Sequence, residues 1–331
     1  MAAILLSYSA AIGLLSVAVN YNGLFFVFAL TARAAAFVCL LVLFSSLSSQ
    51  FVWPLILATG LALVGVAIVS GFNVYNDTKA YYGFVQIPST WAPGTSGFFL
   101  SIFAISLHSV RCLSVRLTTR QRKWLLALSI IFSVLGFFTF SMTAIIVLSA
   151  YWISIIILGV SLRRGAHLFS ILIPISGGIL VLLLLWGWVR STFWRMDWFW
   201  YKLNYRFDKV EGASSQLCSD VSCYIFGIGP GAHSFHNGSE LGRSSVLSFD
   251  SLHGRIFLEW GVLGSLMWVL FLMGVCTSCG NIRSAQVWLF ISCSILLGFG
   301  YEYFFEAYSG SLFAILFGLV LKASREKNPT V

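Results

Sequence analysis

The residues best equipped for chemistry gather between Arg190 and Glu259. The stretch "FGIGPGAHSFHNGSELG" (Phe226–Gly242) sets Gly227, Gly229 and Gly231 at alternate positions, with Pro230 among them. Further on, "FDSLHGRIFLEWGVLGSLMWV" (Phe249–Val269) puts His253 and Arg255 just ahead of an apolar run and Glu259 one turn inside it. Alternating glycines accept positive φ and let backbone approach a ligand closely, so their amides suit a phosphate or a sugar; a plain turn uses the same pattern. The spacing is not the G-x-G-x-x-G of a dinucleotide site. An imidazole takes a proton from a hydroxyl near neutral pH. A guanidinium donates two hydrogen bonds at once to a phosphate. His253 with Arg206, Arg243 and Arg255 therefore makes the parts of a site that holds a diphosphate and activates a hydroxyl. Glu259 stands four residues after Arg255, on one helix face with it. The two pair either as part of that site or as a salt-bridged helix end.

The elements that must position these residues are apolar. The chain has 331 residues, 59% hydrophobic and 9% charged, against roughly 25% charged in a soluble domain. So few charges cannot cover a globular surface, and the composition reads as an all-α polytopic integral membrane protein. A spanning helix needs about 20 apolar residues. Ten runs qualify: 2–18, 24–45, 51–71, 97–110, 124–140, 142–160, 168–189, 256–277, 287–300 and 309–322, with 124–140 and 142–160 forming a tight hairpin. Met1–Val19 has no basic leader segment and reads as the first span. There is no repeat and no separate soluble domain, so residues 1–331 read as one membrane domain with a large loop over 190–255.

Charge sets the orientation. The net charge of +9 would suggest nucleic acid in a soluble protein; here it follows from topology, and no nucleic-acid partner is expected. "RCLSVRLTTRQRK" (Arg111–Lys123) holds five basic residues and no acid, and Arg163, Arg164, Arg283, Lys322, Arg325 and Lys327 fall on the same side. The positive-inside rule makes that side the cytoplasm, with both termini there. Of eleven acids only Glu326 joins them. The loops Asn73–Ser96 and 190–255 then face outward. "RSTFWRMDWFWYKLNYRF" (Arg190–Phe207) opens the larger one, either as an amphipathic helix on the membrane surface or as an aromatic belt at a helix end.

Some residues carry weaker signals. Cys218 and Cys223 share the outer loop, where a disulfide is permitted. Cys276 and Cys279 form one C-x-x-C with no second pair and no nearby histidine, which argues against zinc. Arg33 falls inside the second span, either facing a polar cavity or reaching for the interface. Glu302 and Glu306, among tyrosines on the outer side, suit sugar hydroxyls or a solvated aromatic interface.

"FGIGPGAHSF … DSLHGRIFLEWGVLGSLMWVLFL" resembles the signature region of bacterial O-antigen polymerases and O-antigen ligases. Their outer loop carries a G-x-G-x-G stretch, then a histidine, then E-x-G-x-x-G at the start of the next helix. Gly227, Gly229 and Gly231, then His253, then Glu259, Gly261 and Gly264 stand in that order here. The resemblance implies a GT-C-like, metal-independent glycosyltransferase of the bacterial inner membrane with no cofactor, acting on an undecaprenyl-diphosphate-linked oligosaccharide. A flippase and a chain-length regulator are its implied partners. Carried over by position, His253 is the base for the acceptor hydroxyl and Arg206 the diphosphate-binding arginine, with Arg255 assisting and Gly227, Gly229, Gly231, Arg190, Arg195 and Glu259 lining the substrate. Two departures stand out. Met142 replaces the arginine that opens a middle helix in the ligase pattern, and Gly254 follows His253 where asparagine is common. Both favour a polymerase over a ligase; a repeat-unit transporter is the alternative from another class.

Overall fold

In a computed structural model, the described residues are 10–11, 14, 24–47, 51, 53–61, 93–138, 141–161, 208, 221–229, 252–279, 284–298 and 307–326. All regular structure among them is helical, with no strand. The helices are α1 (Leu24–Ser46), α2 (Pro93–Leu113), α3 (Thr119–Phe138), α4 (Met142–Ser161), α5 (Val221–Phe226), α6 (Leu252–Cys279), α7 (Ala285–Gly298) and α8 (Ala307–Glu326), with further helix, about two and a half turns, over 53–61. The expected spans 2–18 and 168–189 lie almost wholly outside the described residues. The expected run at 24–45 and the 124–140/142–160 hairpin match α1 and α3–α4 closely. Among the described residues, one helical stretch, Leu252–Val275, is long and apolar enough to cross a membrane by length and composition, and shorter apolar helices cover Thr31–Ser46, Gly97–Leu113, Thr143–Ile156 and Ala285–Gly298.

The chain divides into two compact units. The first comprises Met1–Leu41, Thr192–Ser278 and Gly298–Ala314; the second comprises Val42–Ser191, Cys279–Leu297 and Ile315–Val331. In the first unit, Phe37 of α1 stacks on Phe313 of α8 at 5.9 Å and lies tilted against Trp268 of α6 at 6.2 Å. Trp268 in turn stacks on Phe271. Ile256, Leu258 and Trp260 continue the buried face of α6 toward its start. These large side chains fix α6, and with it His253, Arg255 and Glu259.

The second unit packs α2, α3 and α4 by small residues and hydroxyls. A Cβ on Gly97 would come within 2.6 Å of Ser141 Cβ, and one on Gly136 within 2.8 Å of Leu148 Cδ1, so these helices approach more closely than larger side chains allow. Ser129 Oγ donates to Ala104 O at 2.8 Å, and Trp152 Nε1 to Ser133 Oγ at 3.0 Å. Phe103 meets Phe132 edge to face at 4.7 Å. The turn between α2 and α3 is tied at both ends. Arg122 Nη2 donates to Ser114 O at 2.9 Å, a cation on the orphan carbonyls past a helix end. Thr118 and Gln121 form a reciprocal capping box at the start of α3.

Candidate functional site

The two glycine motifs of the sequence meet in one backbone crossing. Gly227 has φ +80° just past the end of α5, and Gly261 has φ +66°, ψ −170° inside α6. The second conformation is essentially confined to glycine. A Cβ on Gly227 would strike the Glu259 carbonyl and lie 2.6 Å from the Gly261 nitrogen; a Cβ on Gly261 would strike the Ile225 carbonyl and lie 2.6 Å from the Gly227 nitrogen. Each glycine is thus required twice, by its own dihedral and by the other chain.

Gly261 breaks the hydrogen-bond ladder of α6. In an unbroken helix the Leu258 and Glu259 carbonyls accept from residues 262 and 263. Here they accept from Ile228 N at 3.0 Å and Gly229 N at 2.9 Å. Gly227 N donates to Cys223 O at 2.7 Å, closing the end of α5, and Cys223 itself is disulfide-bonded. The expected partner Cys218 lies outside the described residues. The N–H groups of residues 227 to 229 therefore all serve carbonyls of the chain.

The clasp holds the first turns of α6, where three of the expected site residues sit. The sequence suggested that His253 and Arg255 precede the helix; instead α6 begins at Leu252, and both lie in its first turn. The buried Leu252, Ile256 and Leu258 supply the apolar anchoring for this extra turn. One consequence is directional. At 100° per residue, His253 and Arg255 project about 200° apart around the helix. Arg255 turns to Glu259, with Nε to Oε1 at 3.1 Å, its side chain 11% exposed and that of Glu259 fully buried. His253 turns to the end of α7, where its imidazole edge rests on Gly298.

Arg190, Arg195, Arg206 and Gly231 lie outside the described residues, as do Glu302 and Glu306. Met142 is the first residue of α4, at the helix start where the ligase pattern would carry arginine. Arg33 lies on an exposed face of α1.

A second polar cluster, in the other unit, was not anticipated. His108 of α2 is buried, with Nδ1 2.8 Å from Tyr151 Oη of α4 and Nε2 3.3 Å from Arg111 Nη1. Gln286 Nε2 donates to Tyr151 Oη at 2.7 Å and to Ser109 Oγ at 3.0 Å. The Arg111 N–H groups only donate, so His108 Nε2 must accept and its Nδ1–H donates to Tyr151. Tyr151 Oη then accepts from His108 and Gln286, and its own proton points to Ser109 Oγ at 3.4 Å. This is the one arrangement in which no donor faces a donor. A histidine inside an apolar run is the signal that marks this cluster in the sequence.

No protein-family model, curated protein or solved structure matches this chain. What the chain does must be argued from these two centres. Of the two, the clasp centre combines a half-buried histidine, a buried carboxylate and a broken helix at one helix start, whereas the His108 cluster is closed on itself.

Proposed function

We propose that the chain is a polytopic membrane glycosyltransferase of the bacterial inner membrane, a polysaccharide polymerase working on the outer face. It transfers a growing glycan from undecaprenyl diphosphate to a sugar hydroxyl of another lipid-linked repeat unit. The observation that carries the reading is the contact between Gly227 and Gly261: the glycine motif and the E-x-G motif form one clasp about two turns past His253 on the same helix. Low charge content and apolar helices support the membrane part.

In this reading the acceptor oxygen attacks the anomeric carbon as the bond to the diphosphate oxygen breaks, which inverts that centre. His253 takes the hydroxyl proton. The undecaprenyl diphosphate leaves with its added negative charge, and fixed cations aimed there give the largest assistance. Arg206, with Arg255 or Arg190, carries that role. The interruption of α6 at Gly261 favours one other reading, a transporter of the repeat unit, because broken spanning helices frame transport sites.

The test is a strain lacking the protein, complemented with wild type or His253→Ala at matched membrane levels, with surface polysaccharide run on a gel. A polymerase predicts single repeats on the acceptor core in both the deletion and the variant strain. A full ladder retained on the lipid carrier identifies a ligase. Repeat units accumulating on the cytoplasmic face identify a transporter.

A further inference from the structure

We infer that Gly298 is a positioning residue for His253: its missing side chain is the seat of the imidazole. The inference rests on the proposed role of His253, and its geometry comes from the end of α7. Gly298 is the last residue of that helix and is buried. A Cβ built on it would lie 2.8 Å from His253 Nε2, 3.2 Å from Cε1 and 3.5 Å from Cδ2. The three nearest atoms all belong to one imidazole, so this ring occupies the space that a methyl group would take.

The backbone does not require glycine there. The positive-φ glycines among the described residues are Gly227, Gly229 and Gly261, and Gly298 is not one of them. A buried glycine with an ordinary backbone leaves a space that a side chain could fill, and the atoms found in that space are those of His253. This separates Gly298 from Gly227 and Gly261, whose added Cβ atoms would strike backbone. A ring on rotatable bonds yields where a backbone cannot.

An alanine at 298 folds, and it displaces the ring. Ordinary contact lies near 3.5 Å, so the imidazole must withdraw by roughly 0.7 Å. A base must stand within hydrogen-bond reach of the proton that it removes. Misplacement of about 1 Å costs up to about 100-fold in rate.

The experiment compares wild type, Gly298→Ala, His253→Ala and the double variant, purified in detergent. Three readouts are taken. The first is the apparent melting temperature. The second is the rate at which diethyl pyrocarbonate modifies His253, followed by mass spectrometry of the peptide. The third is kcat and KM, with the pH profile of kcat/KM, on lipid-linked repeat units extracted from the producing strain. Gly298→Ala should melt as wild type does, lose roughly 10–100-fold in kcat at unchanged KM, and show faster modification of His253 as the ring edge leaves its seat. Added to His253→Ala it should change nothing further. Unchanged modification of His253 in Gly298→Ala, or a further loss of rate in the double variant, would overturn the inference while leaving the base role of His253 intact. Full activity of His253→Ala would overturn the proposed site instead, and the modification rate would still report whether Gly298 seats the ring.

Discussion

His253 and His108 are held on opposite terms. His108 is closed in: both ring nitrogens meet partners on the protein, and Tyr151, Ser109 and Gln286 complete a cluster drawn from α2, α4 and α7. His253 is half-buried in the first turn of α6, and the edge of its ring lies where a Cβ on Gly298 of α7 would stand. Side-chain hydrogen bonds tie the first ring to its neighbours; the missing side chain of Gly298 leaves the room that the second ring occupies. A base has to exchange its proton with a substrate, and a half-buried ring in the first turn of a helix stands nearer to one than a ring buried among packed helices. The difference separates a histidine buried among helices from the one proposed as the base.

The strongest way to break this comparison is at the clasp. Gly261→Ala puts a methyl group against the Ile225 carbonyl and forces alanine into a glycine-only conformation. Strain of about 1–3 kcal/mol from the dihedral adds to an overpacking cost of about 1–3 kcal/mol. Folded protein in the membrane fraction should fall severely, as measured by detergent-resistant yield, and Gly227→Ala should do the same. Normal yield from either variant would mean that the crossing is looser than described, and the tie between the two motifs would lose its force.

The histidines themselves give the next largest contrast. His253→Ala should lower turnover by about 10²–10⁴-fold with little change in melting temperature. Tyr151→Phe should do the reverse. It removes the hydroxyl shared by His108 and Gln286, leaves a buried and a half-buried donor without that acceptor, and costs about 1–2 kcal/mol of stability at near-normal turnover. Parallel losses of turnover from both variants would erase the distinction between the centres. Glu259→Gln sits between them. It keeps the shape but removes the charge that Arg255 Nε meets at 3.1 Å, at a cost of about 2 kcal/mol in unfolding experiments. Its effect on turnover should be smaller than that of His253→Ala, because Arg255 and His253 leave the helix on different faces.

Much of this architecture was legible in the sequence, for physical reasons. Long apolar runs free of proline identified α1 and the α3–α4 hairpin, because the hydrophobic stretch itself is the signal. Arg255 and Glu259 were readable as a pair, because helical spacing alone brings i and i+4 together. The boundary of α6 was misjudged, because His253, Gly254 and Arg255 are polar or weak helix formers and their placement depends on Leu252 and Ile256 finding a core. The clasp was visible only as two separate motifs. Nothing in the spacing of Gly227 and Gly261 says that their backbones cross, since contacts distant in sequence have no period. Gly298 left no signal at all: a glycine whose purpose is a neighbour's ring looks like any other glycine in "SILLGFGYEY".

The smallest effect tests the proton arrangement of the closed cluster. If His108 donates from Nδ1, the Tyr151 hydroxyl proton has Ser109 Oγ as its acceptor, at a long 3.4 Å. Ser109→Ala then removes that weak contact and one of the two acceptors used by Gln286 Nε2. The stronger Gln286–Tyr151 bond at 2.7 Å remains. A loss of about 0.5–1 kcal/mol is expected, below that of Tyr151→Phe, and turnover should not change. With the other tautomer, Tyr151 would donate to His108 and lose nothing at Ser109, so only the Gln286 contact would be missing. The two cases separate in nitrogen NMR of histidine-labelled protein, where a protonated Nδ1 and a protonated Nε2 resonate apart. An Nε2–H signal for His108 in wild type would place a donor opposite Arg111 and reverse the direction of every bond in the cluster that depends on it.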